Sequence, residues 1–216
     1  MRLPPPYWEP NKANTAYAED GFRLIALSRS HDSRVWQALQ SMLDTPRPDW
    51  LGKGRDVRQP GSYDNFRLAC AWRLEHPALW ERYQAGMQQV VRDVQILRRQ
   101  GIRPPRSTPA RTEAAARSLP GSLNADANEA MLLHGTKPEV LLNIISTGMN
   151  ERFSGGLFGH GTYLAEDVGK NDQYVTRDER MNADASTPVG ALHKRLYKHR
   201  NAQHPGKVFY LLVCRV

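Results

Sequence analysis

His134 and Gly135 close a short apolar run, Ala130-Met131-Leu132-Leu133, and stand directly before a helix signal. A strand end of that kind exposes an imidazole and leaves the glycine backbone bare, so that a ligand can approach the main-chain amide closely. A glycine-rich stretch over 150–161, with Gly155, Gly156, Gly159 and Gly161, then returns the chain to Thr162-Tyr163-Leu164-Ala165. Tyr174 follows Tyr163 eleven residues later. One histidine, two tyrosines and a bare backbone amide suit a flat ring that carries an amide and is joined to a sugar with free hydroxyls. Nicotinamide riboside has that form. Taken singly, each residue has a plainer reading: His134 as a structural histidine, Tyr163 as core, Lys170 as part of a solvated helix face. The ordered set is what points to a ligand.

These residues need elements to hold them. Phe22-Arg23-Leu24-Ile25-Ala26-Leu27 predicts a short strand. Asp32 or Ser33 can cap a helix with Val35, Trp36, Leu39, Met42 and Leu43 at helical spacing, stopped at Thr45-Pro46-Arg47-Pro48. Residues 46–64 form a loop. Strict alternation of Phe66, Leu68, Cys70, Trp72 and Leu74 then predicts one half-buried strand. His76-Pro77 opens a helix whose stripe is Leu79, Trp80, Tyr83, Met87, Val90, Val91 and Val94. Residues 101–128, rich in Pro and small residues, predict a linker-like surface loop with a brief helix between Arg111 and Arg117.

In the second half, Ala130 to Leu133 predicts a strand. Thr136-Lys137-Pro138-Glu139 has capping-box form, with Thr136 as cap of a helix through Val140, Leu141, Ile144 and Ile145 that Gly148 ends. Thr162 to Ala165 predicts a second strand, and a short helix follows around Lys170 to Tyr174. Thr187-Pro188 starts another helix with Val189, Leu192, Leu196 and Tyr197 inward. Val208 to Val216 is almost continuously apolar, the pattern of a strand covered on both faces.

Composition limits the function classes. The chain has 216 residues, 40% of them hydrophobic and 24% charged, enough for one packed domain. No apolar run approaches the roughly 20 residues that span a bilayer, so no membrane partner is expected. The start, Met1-Arg2-Leu3-Pro4-Pro5-Pro6, lacks a secretory pattern, and an intracellular place, nuclear or cytoplasmic, is expected. Cys70 and Cys214 sit in apolar runs and are expected to be buried, reduced thiols. A net charge of +8 favours polyanions. The basic residues are not interleaved with aromatics, so nucleic acid is not indicated as a partner, although it is not excluded. His193, His199 and His204 have no acidic or Cys companion nearby in sequence, and are expected to be solvated, with no metal.

A resemblance adds to these readings. Leu133-His134-Gly135-Thr136, then 144–153, then Phe158-Gly159-His160-Gly161-Thr162-Tyr163-Leu164-Ala165-Glu166-Asp167, then Lys170-Asn171-Asp172-Gln173-Tyr174, resemble the catalytic domain of the poly(ADP-ribose) polymerase family. Phe66 to Tyr83 resembles the early strand and helix of its mono-ADP-ribosylating members, and Tyr210 to Val216 a later core strand. The resemblance implies an α+β fold of split, mainly antiparallel sheets with flanking helices, over 21–216; residues 1–20, Pro-rich, polar and aperiodic, predict a flexible arm before it. It implies transfer of ADP-ribose from NAD to protein acceptors without a metal. His134 would hold the adenine-side ribose, and the Gly135 backbone and the Thr136 hydroxyl would hold the carboxamide. Tyr163 and Tyr174 would sandwich the ring, Lys170 would stand near the pocket, and residues 150–161 would cover NAD. His134 and Tyr163 are the catalytic candidates. Asn171 stands where many members have Ser, so the hydroxyl contact made there is not carried over.

The family's third signature residue is Glu in polymerising members and commonly Ile, Leu or Tyr in mono-ADP-ribosylating ones. It lies on a strand beyond the one that closes this sequence, so the sequence is expected to be a fragment, an incomplete gene model or a chain completed by something else. The early-helix resemblance favours mono-ADP-ribosylation. Two other readings stay open on the residues alone: a pseudoenzyme that binds NAD or a partner without turnover, and a basic nucleic-acid-binding module.

Overall fold

The computed structural model describes residues 4–8, 21–54, 61–102, 108–153, 155–157, 159–179, 184–197 and 203–216. The fold is α+β, with helices around three small antiparallel ladders. β1 (Arg23–Ala26) pairs with β2 (Trp72–Glu75). Between them lies α1 (Ser33–Ser41). Asp32 does not cap its amides; the carboxylate instead accepts from Ser28 N–H at 2.7 Å and closes the preceding turn.

β2 is shorter than the alternation predicts. Ala26 pairs with Trp72 and Leu27 N–H reaches Ala71, where β1 ends. Upstream, the Gln40 side chain does the work of a partner strand: its Nε2 donates to Phe66 C=O at 3.1 Å and its Oε1 accepts from Leu68 N–H at 2.8 Å. Phe66 turns into an aromatic cluster with Tyr63 and Phe209. Glu75 is fully buried at the end of β2, held by Arg23 at 2.6 Å and Arg73 at 2.7 Å. A charge that deep is tolerable only when paired this closely.

α2 (Pro77–Arg99) starts on His76, whose Nδ1 accepts from Leu79 N–H at 3.3 Å. None of its residues is buried, and Val90 keeps 45% of its surface exposed, so the stripe is only half used. Residues 4–8 are not loose: Trp8 is buried and packs on Trp80 at 6.1 Å between centroids. The remainder of the expected arm lies outside the described residues.

The 101–128 stretch is also less of a surface loop than composition implies. Within it α3 (Glu113–Ala116) packs inward through Ala116, 3% exposed. The buried Thr112 hydroxyl donates to Met131 C=O and clamps α3 to β3 (Met131–Thr136). Residues 103–107 lie outside the described part.

α4 (Pro138–Thr147) follows β3. Its cap is Lys137, without a side-chain bond, and not Thr136. The reason is strand pairing: Thr136 is the last residue of β3, opposite Tyr210, and is itself buried. β4 (Gly155–Gly156) and β5 (Gly159–His160) make a small hairpin. The expected strand at Thr162 to Ala165 reduces to a single bridge, Ala165 to Leu133. α5 (Val168–Asp172), capped by Asp167, and α6 (Pro188–Leu196), capped by Thr187, complete the helices.

β6 (Tyr210–Arg215) runs antiparallel to β3 over six pairs and divides the core. Tyr210 and Leu212 face a cluster of Phe22, Leu141, Ile145, Leu192 and Leu196. Leu211 and Val213 face Met42, Ala116, Leu133 and Val168. Two covered faces explain the unbroken apolar run, since side chains alternate across a strand. Burying Leu133 and Leu192 completely contributes about 1.5–3 kcal/mol each.

His193 and His204 are a correction to the sequence reading. They are not solvated, because folding supplies the acid that local sequence lacks. Asp178, 2% exposed, accepts from His193 Nε2 at 2.7 Å, His204 Nε2 at 3.3 Å and the Tyr210 hydroxyl at 2.9 Å. Its main chain pairs with Val208 in both directions. His199 lies outside the described residues.

Candidate active site

The pairing of β3 decides which backbone groups face a ligand. Ala130 and Val216 exchange both N–H···O bonds, at 2.9 and 3.0 Å. In an antiparallel ladder every second residue does so, and the residues between direct their main-chain groups away. Leu132, His134 and Thr136 therefore bond to β6, while Met131, Leu133 and Gly135 present theirs on the opposite edge. All three find partners there. Met131 C=O takes the Thr112 hydroxyl. Leu133 pairs with Ala165 at 2.8 and 2.9 Å. Gly135 N–H donates to Asn171 Oδ1 at 2.7 Å.

Gly135 is bare for a reason the sequence reading missed. A Cβ there would lie 2.7 Å from the Asn171 carbonyl oxygen and 2.9 Å from Val175 Cγ1. The glycine lets α5 press against the strand edge, a backbone approach that a side chain would block.

His134 Nδ1 lies 2.9 Å from Tyr163 C=O, so Nδ1 carries the proton and Nε2 is the acceptor of the neutral ring. Tyr163 is 37% exposed, and its hydroxyl donates to Gly159 C=O at 2.7 Å. Its ring lies on the glycine hairpin: a Cβ at Gly156 would stand 2.9 Å from the phenol carbon and oxygen. The glycine hairpin of the expected covering loop is thus tied to Tyr163; Ser154 and Phe158 lie outside the described residues. Thr136 contributes its buried side chain at the strand end.

The other candidates sit on and after α5. The Lys170 ammonium is 5.4 Å from the Tyr174 ring centroid and donates to Gln173 at 3.2 Å. Tyr174 is 46% exposed. Beside them a small cavity is lined by Thr45, Arg47, Trp50, Asp167, Lys170 and Gln173, with the Arg47 guanidinium 4.2 Å above the Trp50 ring. The candidates therefore form two sets, His134 with Tyr163 and Lys170 with Tyr174, and Gly135–Asn171 joins them.

Asp172 lies within the Lys-Asn-Asp-Gln-Tyr segment, and no local pattern marks its role. Its carboxylate accepts from Gly52 N–H at 2.8 Å and the Tyr63 hydroxyl at 2.6 Å, anchoring α5 to the 48–54 turn. Burial and this bond push the Tyr63 phenol well up from its ordinary range.

Asp178, His193 and His204 bring three ligand-type atoms within 4.8 Å of one another. Their bonding does not suit a metal as it stands. Gly206 N–H donates to His204 Nδ1 at 3.1 Å, which leaves the neutral ring's proton on Nε2, the atom facing Asp178. The cluster acts as a hydrogen-bonded node behind β6.

No helix among the described residues is long and apolar enough to cross a membrane. No curated protein matches the chain. The family model described as poly(ADP-ribose) polymerase catalytic domain matches residues 56–216. That span carries β3, the glycine hairpin, α5 and β6, and the chain belongs to the poly(ADP-ribose) polymerase catalytic-domain family, whose members use NAD as the donor of ADP-ribose.

Proposed function

We propose that residues 21–216 work as one catalytic unit that moves single ADP-ribose units from NAD to protein acceptors and releases nicotinamide. The observation that supports this best is the outward edge of Gly135, with a ladder-imposed N–H and C=O that suit a primary carboxamide. His134 stands beside it, its Nε2 left as an acceptor for a ribose hydroxyl by the Tyr163 contact. Tyr163 and Tyr174 supply ring faces, each stack contributing about 0.5–1.5 kcal/mol. The charged pyridinium adds a cation–π attraction of roughly 0.5–2 kcal/mol. Lys170 and Thr136 complete the pocket, and Asn171 takes the position of the family's serine.

In the reaction, the bond between ribose and ring nitrogen breaks with its electron pair passing to the nitrogen, and neutral nicotinamide leaves. A lone pair of the acceptor closes on the ribose carbon, and the acceptor's proton passes to solvent. His134 and the tyrosines hold the donor while positive charge develops on the ribose. The resemblance of 66–83 to mono-ADP-ribosylating members supports one unit per site.

Intact-mass spectrometry of the chain after incubation with NAD tests this. Single ADP-ribose increments are expected in the wild type and absent in His134→Ala. Ladders of increments on one mapped site would replace the mono reading with a polymerising one. NAD binding without increments would make the chain a binding module that does not turn over.

A further inference from the structure

We infer that Asn171 is a built-in competitor for the carboxamide seat, so that this one side chain sets how tightly the site takes NAD and nicotinamide. The inference rests on the reading above, in which Gly135 receives the nicotinamide amide. Its own observation is the occupant of that N–H. Asn171 Oδ1 accepts from Gly135 N–H at 2.7 Å, while its Nδ2 donates to Asp167 C=O at 3.0 Å. Donor and acceptor agree, which settles the orientation of the amide.

The placement is built. Asn171 is 5% exposed, and α5 is fixed at one end by the Asp167 cap on Gly169 N–H at 2.8 Å and at the other by Asp172 on Gly52 and Tyr63. The group on Gly135 is a primary carboxamide, the same group that nicotinamide carries. A ligand offering its carbonyl to Gly135 must first turn Asn171 away, breaking two hydrogen bonds of a buried side chain. An aromatic carboxamide that fills the pocket can meet that cost; a ligand that gains only the Gly135 contact cannot. Asn171 thereby lowers affinity and sharpens selection for ligands with a ring behind the amide.

The test uses the full chain and three probes: NAD, nicotinamide and benzamide, with binding followed by calorimetry and 15N NMR. In Asn171→Ala and Asn171→Ser the competitor is removed, and dissociation constants for all three are expected to fall about five- to ten-fold, the worth of one net hydrogen bond. The Gly135 amide is expected to exchange with solvent faster in both variants than in the wild type. In the wild type alone, saturating nicotinamide is expected to shift the Gly135 amide and the Asn171 side-chain amide signals together. The competition is overturned if the variants bind as the wild type does or more weakly, or if nicotinamide moves Gly135 and leaves the Asn171 signals in place. If Gly135 loses protection in the variants and yet no form of the chain takes any probe, the NAD reading itself is overturned and the competition with it.

Discussion

Replacing Asp178 by Ala takes the acceptor from three donors that stay buried. His193, His204 and Tyr210 converge on a single carboxylate oxygen at 2.7, 3.3 and 2.9 Å, and the His204 side chain is 5% exposed, so water does not readily replace what is lost. Each bond to a charged acceptor contributes about 1.5–3 kcal/mol, and each orphaned buried donor costs about 1–3 kcal/mol. The 3.3 Å contact is weak and the three losses overlap, which puts the whole change at roughly 3–5 kcal/mol. Against a total stability of about 5–15 kcal/mol that is a large part of the fold. Asp178→Asn keeps a neutral acceptor and is expected to lose about 1–2 kcal/mol. Tyr210→Phe removes one donor and leaves the carboxylate its histidines, a loss of about 1 kcal/mol. Urea unfolding followed by Trp fluorescence reads all three; the Ala variant's midpoint should fall by about 1–3 M. Because β6 holds β3, NAD affinity should fall in the same order. A midpoint for Asp178→Ala within about 0.3 M of wild type, or a Tyr210→Phe loss as large as that of Ala, would refute the node.

Other consequences follow from the same geometry. Gly135→Ala puts a methyl into the Asn171 carbonyl and Val175, and should cost about 1–3 kcal/mol, read as a melting temperature lowered by several degrees; an unchanged melt would show that α5 gives way freely. Tyr163→Phe frees the glycine hairpin from its 2.7 Å tie and should raise KM for NAD about five-fold with a smaller effect on kcat; equal losses in both would place the hydroxyl in the chemistry instead. Alkaline pH should destabilise the fold. Burial pushes the Cys214 thiol from 9.0 up to about 12 and the Tyr197 phenol from 10.0 up to about 12, and it raises Tyr63, Tyr83 and Tyr210 as well. The folded chain keeps protons that the unfolded chain releases, so this stability is complete below pH 9 and is lost as pH rises toward about 12, from about pH 9 for Cys214 and from about pH 10 for Tyr197, at about 1.4 kcal/mol per pH unit for the enclosed Cys214 and less for the half-buried tyrosines, which solvent screens. Equal urea midpoints at pH 7.5 and 10.5 would contradict it. Burial raises Cys70 too, so both thiols should react with a disulfide reagent at pH 8 far more slowly than in the urea-unfolded chain; a fast native phase would refute that.

The order of chemistry along the chain was legible without coordinates, because it depends on local patterns. A strand carrying His134, a bare Gly135, a glycine loop, and tyrosines at 163 and 174 are neighbours or near neighbours, and helices such as Pro77–Arg99 and Pro188–Leu196 declare themselves by period and cap. Tertiary structure decided what those residues do to one another. Alternation at Phe66, Leu68 and Cys70 looks like a strand, but a strand needs a partner, and β1 is only four residues long. Thr136 has a capping residue's neighbours, but the ladder to Tyr210 claims its backbone first. His193 and His204 look solvated until the chain brings Asp178 to them from 15 and 26 residues away. Sequence alone marks Gly135 as bare; only the register of β3 on β6 turns its amide outward, and only the docking of α5 shows that an asparagine already holds it. Local patterns are written in residues a few places apart. Pairing, burial and the satisfaction of each polar group are settled between residues that meet only when the chain folds.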